Sequence, residues 1–128
     1  MTHQLLRTFA ATAVMAVSGL AQALTVAPYS AQALASAQQA GKSVAVHFHA
    51  DWCPTCKQQE KAILQLKAEP GLDITLLVAN YDKEKDLRSA MKVRTQSTLV
   101  VFKGTEEKAR LAGDTAPDKI RAALKAGL

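Results

Sequence analysis

Between Ser30 and Gly127 two hydrophobic rhythms take turns along the chain. Alanine and glutamine dominate Ser30–Gln39, with Ala33, Leu34 and Ala37 at helical spacing and Gly41 to close the segment. Ser43–His49 (SVAVHFH) is short, β-rich and unbroken, as a buried strand reads. Cys53–Ala68 returns to helical spacing, with Ala62, Ile63 and Leu66 on one face and Pro70-Gly71 as terminator. A second apolar run of strand length covers Ile74–Ala79. Asp82 is placed to cap a short helix whose inner face is Leu87, Ala90 and Met91. Thr98–Phe102 predicts a third strand, Lys103-Gly104-Thr105 a turn, and Glu107–Leu111 a fourth, returning strand. Thr115-Ala-Pro-Asp118 has the form of a capping box ahead of Ile120, Ala123 and Leu124 on one helix face, with Gly127 at the end.

Strands alternating with helices predict an α/β fold with a mostly parallel sheet, because a parallel crossover needs a helix-length connection. The last strand pair, joined by a short turn, is expected to be antiparallel. At 128 residues, 48% hydrophobic and 21% charged, the chain accommodates one such domain and is neither disordered nor collagen-like in composition. Its net charge of +5 comes from 16 basic and 11 acidic residues, interspersed along the second half. With aromatics at 5% and no basic cluster in sequence, nothing marks a nucleic-acid partner.

The first residues follow a different logic. Arg7 precedes Thr8–Leu20, 13 residues without a charge, and Ala21-Gln22-Ala23 offers small residues where a signal peptidase reads them. The run is shorter than the roughly 20 apolar residues of a membrane span. Residues 1–23 are therefore expected to be a secretory signal, and residues 24–128 the exported, soluble domain. An uncleaved short anchor is the other reading of the same segment.

The chain has two cysteines, Cys53 and Cys56, in Asp51-Trp-Cys-Pro-Thr-Cys-Lys57. They stand where a predicted strand feeds a predicted helix, which sets the Cys53 sulfur near the unpaired N–H groups and positive end of the helix dipole. A thiolate is favoured there, and the thiolate is the species that attacks a disulfide. Cys56, most of a turn further on, suits the resolving role. Pro54 costs nothing in a first helical turn. Zinc or Cu(I) would need more ligands than the pair, and His47, His49 and nearby carboxylates are the candidates. A redox-inert adaptor is the third alternative.

The segment Val46-His-Phe-His-Ala-Asp-Trp-Cys-Pro-Thr-Cys-Lys57 resembles the active-site segment of the thioredoxin superfamily. With Glu60 a turn later, it is most similar to the C-terminal thioredoxin-like domain of periplasmic thiol:disulfide interchange proteins. That resemblance implies a thioredoxin fold, a central mixed β-sheet flanked by helices. It also implies dithiol–disulfide exchange with protein substrates, leaning reductive, and no cofactor or metal beyond the Cys53–Cys56 pair. A membrane electron-donor protein and a periplasmic location belong to the same expectation. Among site residues, Trp52 is expected to shield Cys53, Lys57 to help hold the thiolate, and Glu60 to modulate Cys56. His47 takes the position of the family's buried acid and is expected to assist deprotonation of Cys56, whereas His49 is expected to pack. Gln96, Ser97 and Thr98 match the substrate-docking loop. Ser97 stands where the family has a cis-proline. A cis bond without proline costs about 2.5–4 kcal/mol, so the Gln96–Ser97 bond is expected to be trans or locally strained.

Overall fold

The computed structural model describes residues 22–128, so the predicted signal segment lies almost wholly outside the described residues. Five strands and four helices follow in chain order: β1 (Thr25–Pro28), α1 (Ala31–Gln39), β2 (Ser43–His49), α2 (Pro54–Leu66), β3 (Thr75–Asn80), α3 (Lys85–Ala90), β4 (Thr98–Lys103), β5 (Glu106–Ala112) and α4 (Pro117–Lys125). The strands form one mixed sheet in the order β1-β3-β2-β4-β5. β1 and β2 run parallel to β3, while β4 is antiparallel to both β2 and β5. This is the expected α/β sheet flanked by helices, with the last hairpin antiparallel as anticipated, but only half its pairings are parallel, because β4 also lies antiparallel to β2.

Alternation along β2 decides which residues meet which helices. Val44, Val46 and Phe48 join Leu34 of α1 and the half-buried Leu87 and Met91 of α3 in one apolar layer. Ala45 faces the other layer, where Ala62, Ile63 and Leu66 of α2 meet Ile120, Ala123 and Leu124 of α4. His47 and His49 share that second face by parity, which places both beside α2.

Four local expectations are corrected. β1 was not foreseen: four residues ending in proline are too short to show a period, and Pro28 is tolerated because it ends an edge strand. Asp82 does not cap α3. Glu84 stands at that N-cap without a side-chain bond, and Asn80 Oδ1 organises the turn by accepting from the N–H groups of Asp82 and Lys83. Ala90 is exposed, so the inner face of α3 is Leu87 and Met91. The capping box at Thr115 does not form either. Ala116 is the N-cap of α4, Pro117 opens the helix, and Asp118 instead binds Arg121, which also grips Glu69.

Candidate active site

β2 ends at His49, and the chain turns through Ala50, Asp51 and Trp52, where Cys53 N–H donates to Ala50 O at 3.1 Å. Cys53 occupies the N-cap of α2 with extended backbone (φ −95°, ψ 112°). Its sulfur does what a serine or aspartate oxygen does at such a position, accepting from Cys56 N–H at 3.1 Å. Pro54 follows in the first turn, as expected from its missing donor. Both thiols are free and buried, with Cys53 2% exposed and Cys56 0%. Trp52 is 60% exposed, and its indole N–H donates to Asp82 Oδ2 at 2.7 Å, tying this turn to the end of β3.

Ser97 closes the site from the opposite strand. The peptide bonds of the described residues are all trans, and Ser97 sits at φ +64°, a left-handed conformation rare outside glycine. Its backbone is held from three directions. Ser97 N–H donates to Phe48 O at 2.9 Å, and Ser97 O accepts from Gly113 N–H at 3.0 Å and from Gln59 Nε2 at 2.9 Å. The hydroxyl thereby lies 3.2 Å from Cys53 Sγ and 3.1 Å from Cys56 Sγ. One hydroxyl has one hydrogen, so Ser97 donates to one sulfur at a time.

The two thiols are driven apart by this arrangement. Burial pushes the Cys53 thiol up, but hydrogen bonds from the Cys56 thiol, the Ser97 hydroxyl and the N–H groups of Cys56 and Thr55 outweigh it and hold the thiol below its ordinary value. Burial also pushes Cys56 up, and there donating to Cys53 and lying beside its charge add to the rise, outweighing hydrogen bonds from Ser97 and the Ala50 backbone that lower it. The arrangement favours the thiolate at Cys53 and the protonated thiol at Cys56.

Gln59 was missed by sequence reading. Its carboxamide, 1% exposed, accepts at Oε1 from His47 Nε2 (2.8 Å) and donates from Nε2 to Ser97 O and to Asp114 O (2.8 Å). Two carbonyls on the nitrogen settle which way the amide points, and so make His47 Nε2 the donor. A signal existed: Gln59 sits three residues after Cys56 and four before Ile63, a core position of α2 filled by a polar side chain.

His47 is brought to the sulfurs only through Gln59 and Ser97, with no direct bond to either thiol among the described residues. Burial lowers its pKa from 6.5 to about 4, against the Gln59 bond, which raises it, with His49 adding to the fall. An unfolded chain binds this proton below pH 6.5 but the folded one only below about 4. Stability is therefore expected to be full above neutrality and to drop by about 3 kcal/mol between pH 7 and pH 4 from this group. Denaturant titrations across that range check it, and the drop should shrink in His47→Asn. His49 Nε2 meets Asp51 Oδ1 at 3.2 Å. Lys57 and Glu60 are exposed on the outer side of α2 and bond to neither sulfur. Gln96 is half-buried, and the Thr98 hydroxyl turns back to donate to Thr95 O at 2.8 Å. Among the described residues no group of three or more His, Cys, Asp or Glu side chains is arranged to hold a metal ion.

A family model described as Thioredoxin matches residues 25–126. The chain belongs to the thioredoxin family. Thioredoxin of Mycoplasma genitalium is 33% identical over 81 residues, covering 63% of this chain and 78% of that protein. Thioredoxin-1 of Drosophila melanogaster is 29% identical over 72 residues, covering 56% and 67%. Among solved structures, the crystal structure of Trxlp from Edwardsiella tarda EIB202 superposes with a TM-score of 0.73 at 34% identity, covering 78% of this chain and 98% of that one. This thioredoxin-family chain is a thiol–disulfide oxidoreductase with Cys53 and Cys56 as its Cys-x-x-Cys pair, and the family's substrates are protein disulfides.

Proposed function

We propose that this protein is an exported reductant of protein disulfides, acting in the periplasm and recharged by a dithiol of a membrane electron-donor protein. The observation that supports the direction is the balance at Cys53. A strong oxidant owes its potential to a heavily stabilised thiolate. Here burial opposes the thiolate, and the groups favouring it are uncharged: the Cys56 thiol, the Ser97 hydroxyl and two backbone N–H groups. The thiolate is thus held by dipoles alone, with no cation bonded to the Cys53 sulfur among the described residues. The Thr8–Leu20 run and the small residues after it support export, and no helix among the described residues is long and apolar enough to cross a membrane.

In this reading the Cys53 thiolate attacks one substrate sulfur, the substrate S–S bond breaks, and the departing sulfur leaves as a thiolate while Cys53 is held in a mixed disulfide. Cys56 then gives up its proton and attacks Cys53 Sγ. The Cys53–substrate bond breaks, the Cys53–Cys56 disulfide forms, and the substrate gains two electrons, one proton from Cys56 and a second from solvent. Ser97 Oγ touches both protein sulfurs, so it carries the Cys56 proton toward the departing thiolate. Docking of substrate backbone falls to Gln96, because Ser97 N–H, Ser97 O and the Thr98 hydroxyl are all committed inward.

The test is the reduction potential of residues 24–128, read by Trp52 fluorescence in thiol–disulfide buffers. A value near about −270 mV is expected, in the thioredoxin range. One near about −120 mV would make the protein an oxidant and overturn the direction proposed here.

A further inference from the structure

Four arginines lie among the described residues, and two of them, Arg110 and Arg121, are paired with carboxylates. Arg88 and Arg94 have no ion-pair partner among the described residues, and both line one surface cleft of about 470 Å³. Its other lining residues are Lys85, Ser89, Lys92 and Val93, so four cations and no carboxylate surround it. Cations gathered in one concavity repel one another and focus a positive potential into it.

The cleft is rigidly built. The Arg88 guanidinium lies over the Tyr81 ring, 4.0 Å from its centroid, which fixes the group in place. Arg88 Nε is buried without a hydrogen-bond partner among the described residues, a donor whose desolvation nothing offsets. Lys92 is held at φ +55°, and Arg110 clamps its loop by donating to Met91 O at 2.8 Å. Lys92 is the left-handed residue of the cap that ends α3, closed by Lys92 N–H to Ser89 O at 3.2 Å and Val93 N–H to Arg88 O at 2.8 Å, which fixes where the loop leaves the helix.

The cleft also adjoins the thiols. Tyr81 packs against the buried group of Ala50, Cys53 and Cys56 while carrying Arg88 on its face, and its hydroxyl donates to Arg94 O at 3.0 Å. Ser97 follows Arg94 by three residues. An extended chain advances about 3.3 Å per residue, so a few residues of a substrate segment span from the sulfurs to the cleft. We propose that the cleft formed by Lys85, Arg88, Lys92 and Arg94 docks a carboxylate-rich segment flanking the disulfide of a protein substrate. Guanidinium groups suit carboxylates through paired, parallel hydrogen bonds, and an arriving acid relieves the repulsion among the four cations. The inference rests on the oxidoreductase reading and adds the substrate class to it.

The experiment compares two synthetic peptides carrying the same disulfide, one flanked by four glutamates and one by four glutamines. In the reduced wild-type protein the acidic peptide is expected to have about tenfold higher kcat/KM at low ionic strength, with the advantage shrinking as salt rises. In Lys85→Gln/Arg94→Gln the ratio of the two rates is expected to fall close to unity. In Lys67→Gln/Lys125→Gln, which removes the same charge away from the cleft, the ratio is expected to persist. Equal rates for both peptides in the wild type overturn the inference while leaving the oxidoreductase reading intact. A ratio that survives in Lys85→Gln/Arg94→Gln, or falls equally in both variants, overturns it as well. Turnover of neither peptide overturns the oxidoreductase reading and this inference with it.

Discussion

In Cys56→Ser, steady-state disulfide reduction is expected to fall about a thousandfold or more, with the substrate trapped on Cys53. The attacking half of the site survives this change. Cys53 keeps its N-cap position and still accepts from the residue 56 N–H, and a serine hydroxyl at that place still donates to the Cys53 sulfur. The first step therefore goes ahead and the mixed disulfide forms. The second step cannot, because an alcohol is far too weakly acidic to supply the nucleophile that a thiol does. The adduct is read as a mass increase equal to the substrate, reversed by dithiothreitol. The variant should fold, since a buried sulfur is exchanged for an oxygen beside an existing hydroxyl partner, Ser97. Turnover near the wild-type rate would mean that Cys56 does not resolve the intermediate, and would remove the two-cysteine mechanism.

Gln59→Leu is expected to cost about 3 kcal/mol of stability, the largest loss from any single polar change away from the thiols. The carboxamide joins β2, the loop before β4 and the loop before α4 through three hydrogen bonds. Leucine fits the volume but leaves the His47 Nε2 donor buried and orphaned, and takes one of two donors from Ser97 O. Because an orphaned buried donor is more costly than an apolar pair, His47→Leu/Gln59→Leu should recover part of the loss. Denaturant midpoints for both variants check this, and a double variant less stable than the single one would break the clamp argument. A second readout separates structure from chemistry. Loosening Ser97 weakens its bond to Cys53, so the pH profile of Cys53 alkylation should move upward in Gln59→Leu. Ser97→Ala should move the same profile upward with a smaller loss of stability, since the Ser97 backbone bonds remain.

Much of this molecule was legible from residue order, for reasons that differ by element. Long periodic or continuous runs such as Ser43–His49 and Thr98–Phe102 announce themselves because burial on both sheet faces excludes polar residues. Caps were harder to read: Ser30 caps α1 by accepting from Ala33 N–H at 3.0 Å and was not singled out for it. They failed at Asp82 and Thr115, where a competing partner intervened. Trp52 takes the Asp82 carboxylate, and Pro117 opens α4 one residue after Ala116. Trp52 lies thirty residues from Asp82, so no local pattern reports their bond. β1 escaped because an edge strand of four half-exposed residues carries no period to detect.

The sequence by itself determined the class of fold and the identity of the reacting pair. Both depend on local order: hydrophobic period sets strand or helix, and cysteines at the strand-to-helix junction place one sulfur on the helix N-terminus whatever surrounds it. The hydroxyl that bridges the two thiols was placed by the tertiary structure. Ser97 is 44 residues from Cys53 and 41 from Cys56, and its hydroxyl reaches both only because β4 pairs beside β2 and Gln59 pins the loop. The basic cleft is of the same kind. Lys85, Arg88, Lys92 and Arg94 are spaced in sequence among one acid, Asp86, one serine and apolar residues, and they face one concavity only after α3 and the loop to β4 fold over Tyr81. Hydrogen bonds and electrostatic fields act through distance in space, and distance along the chain carries no record of them until packing brings the groups together.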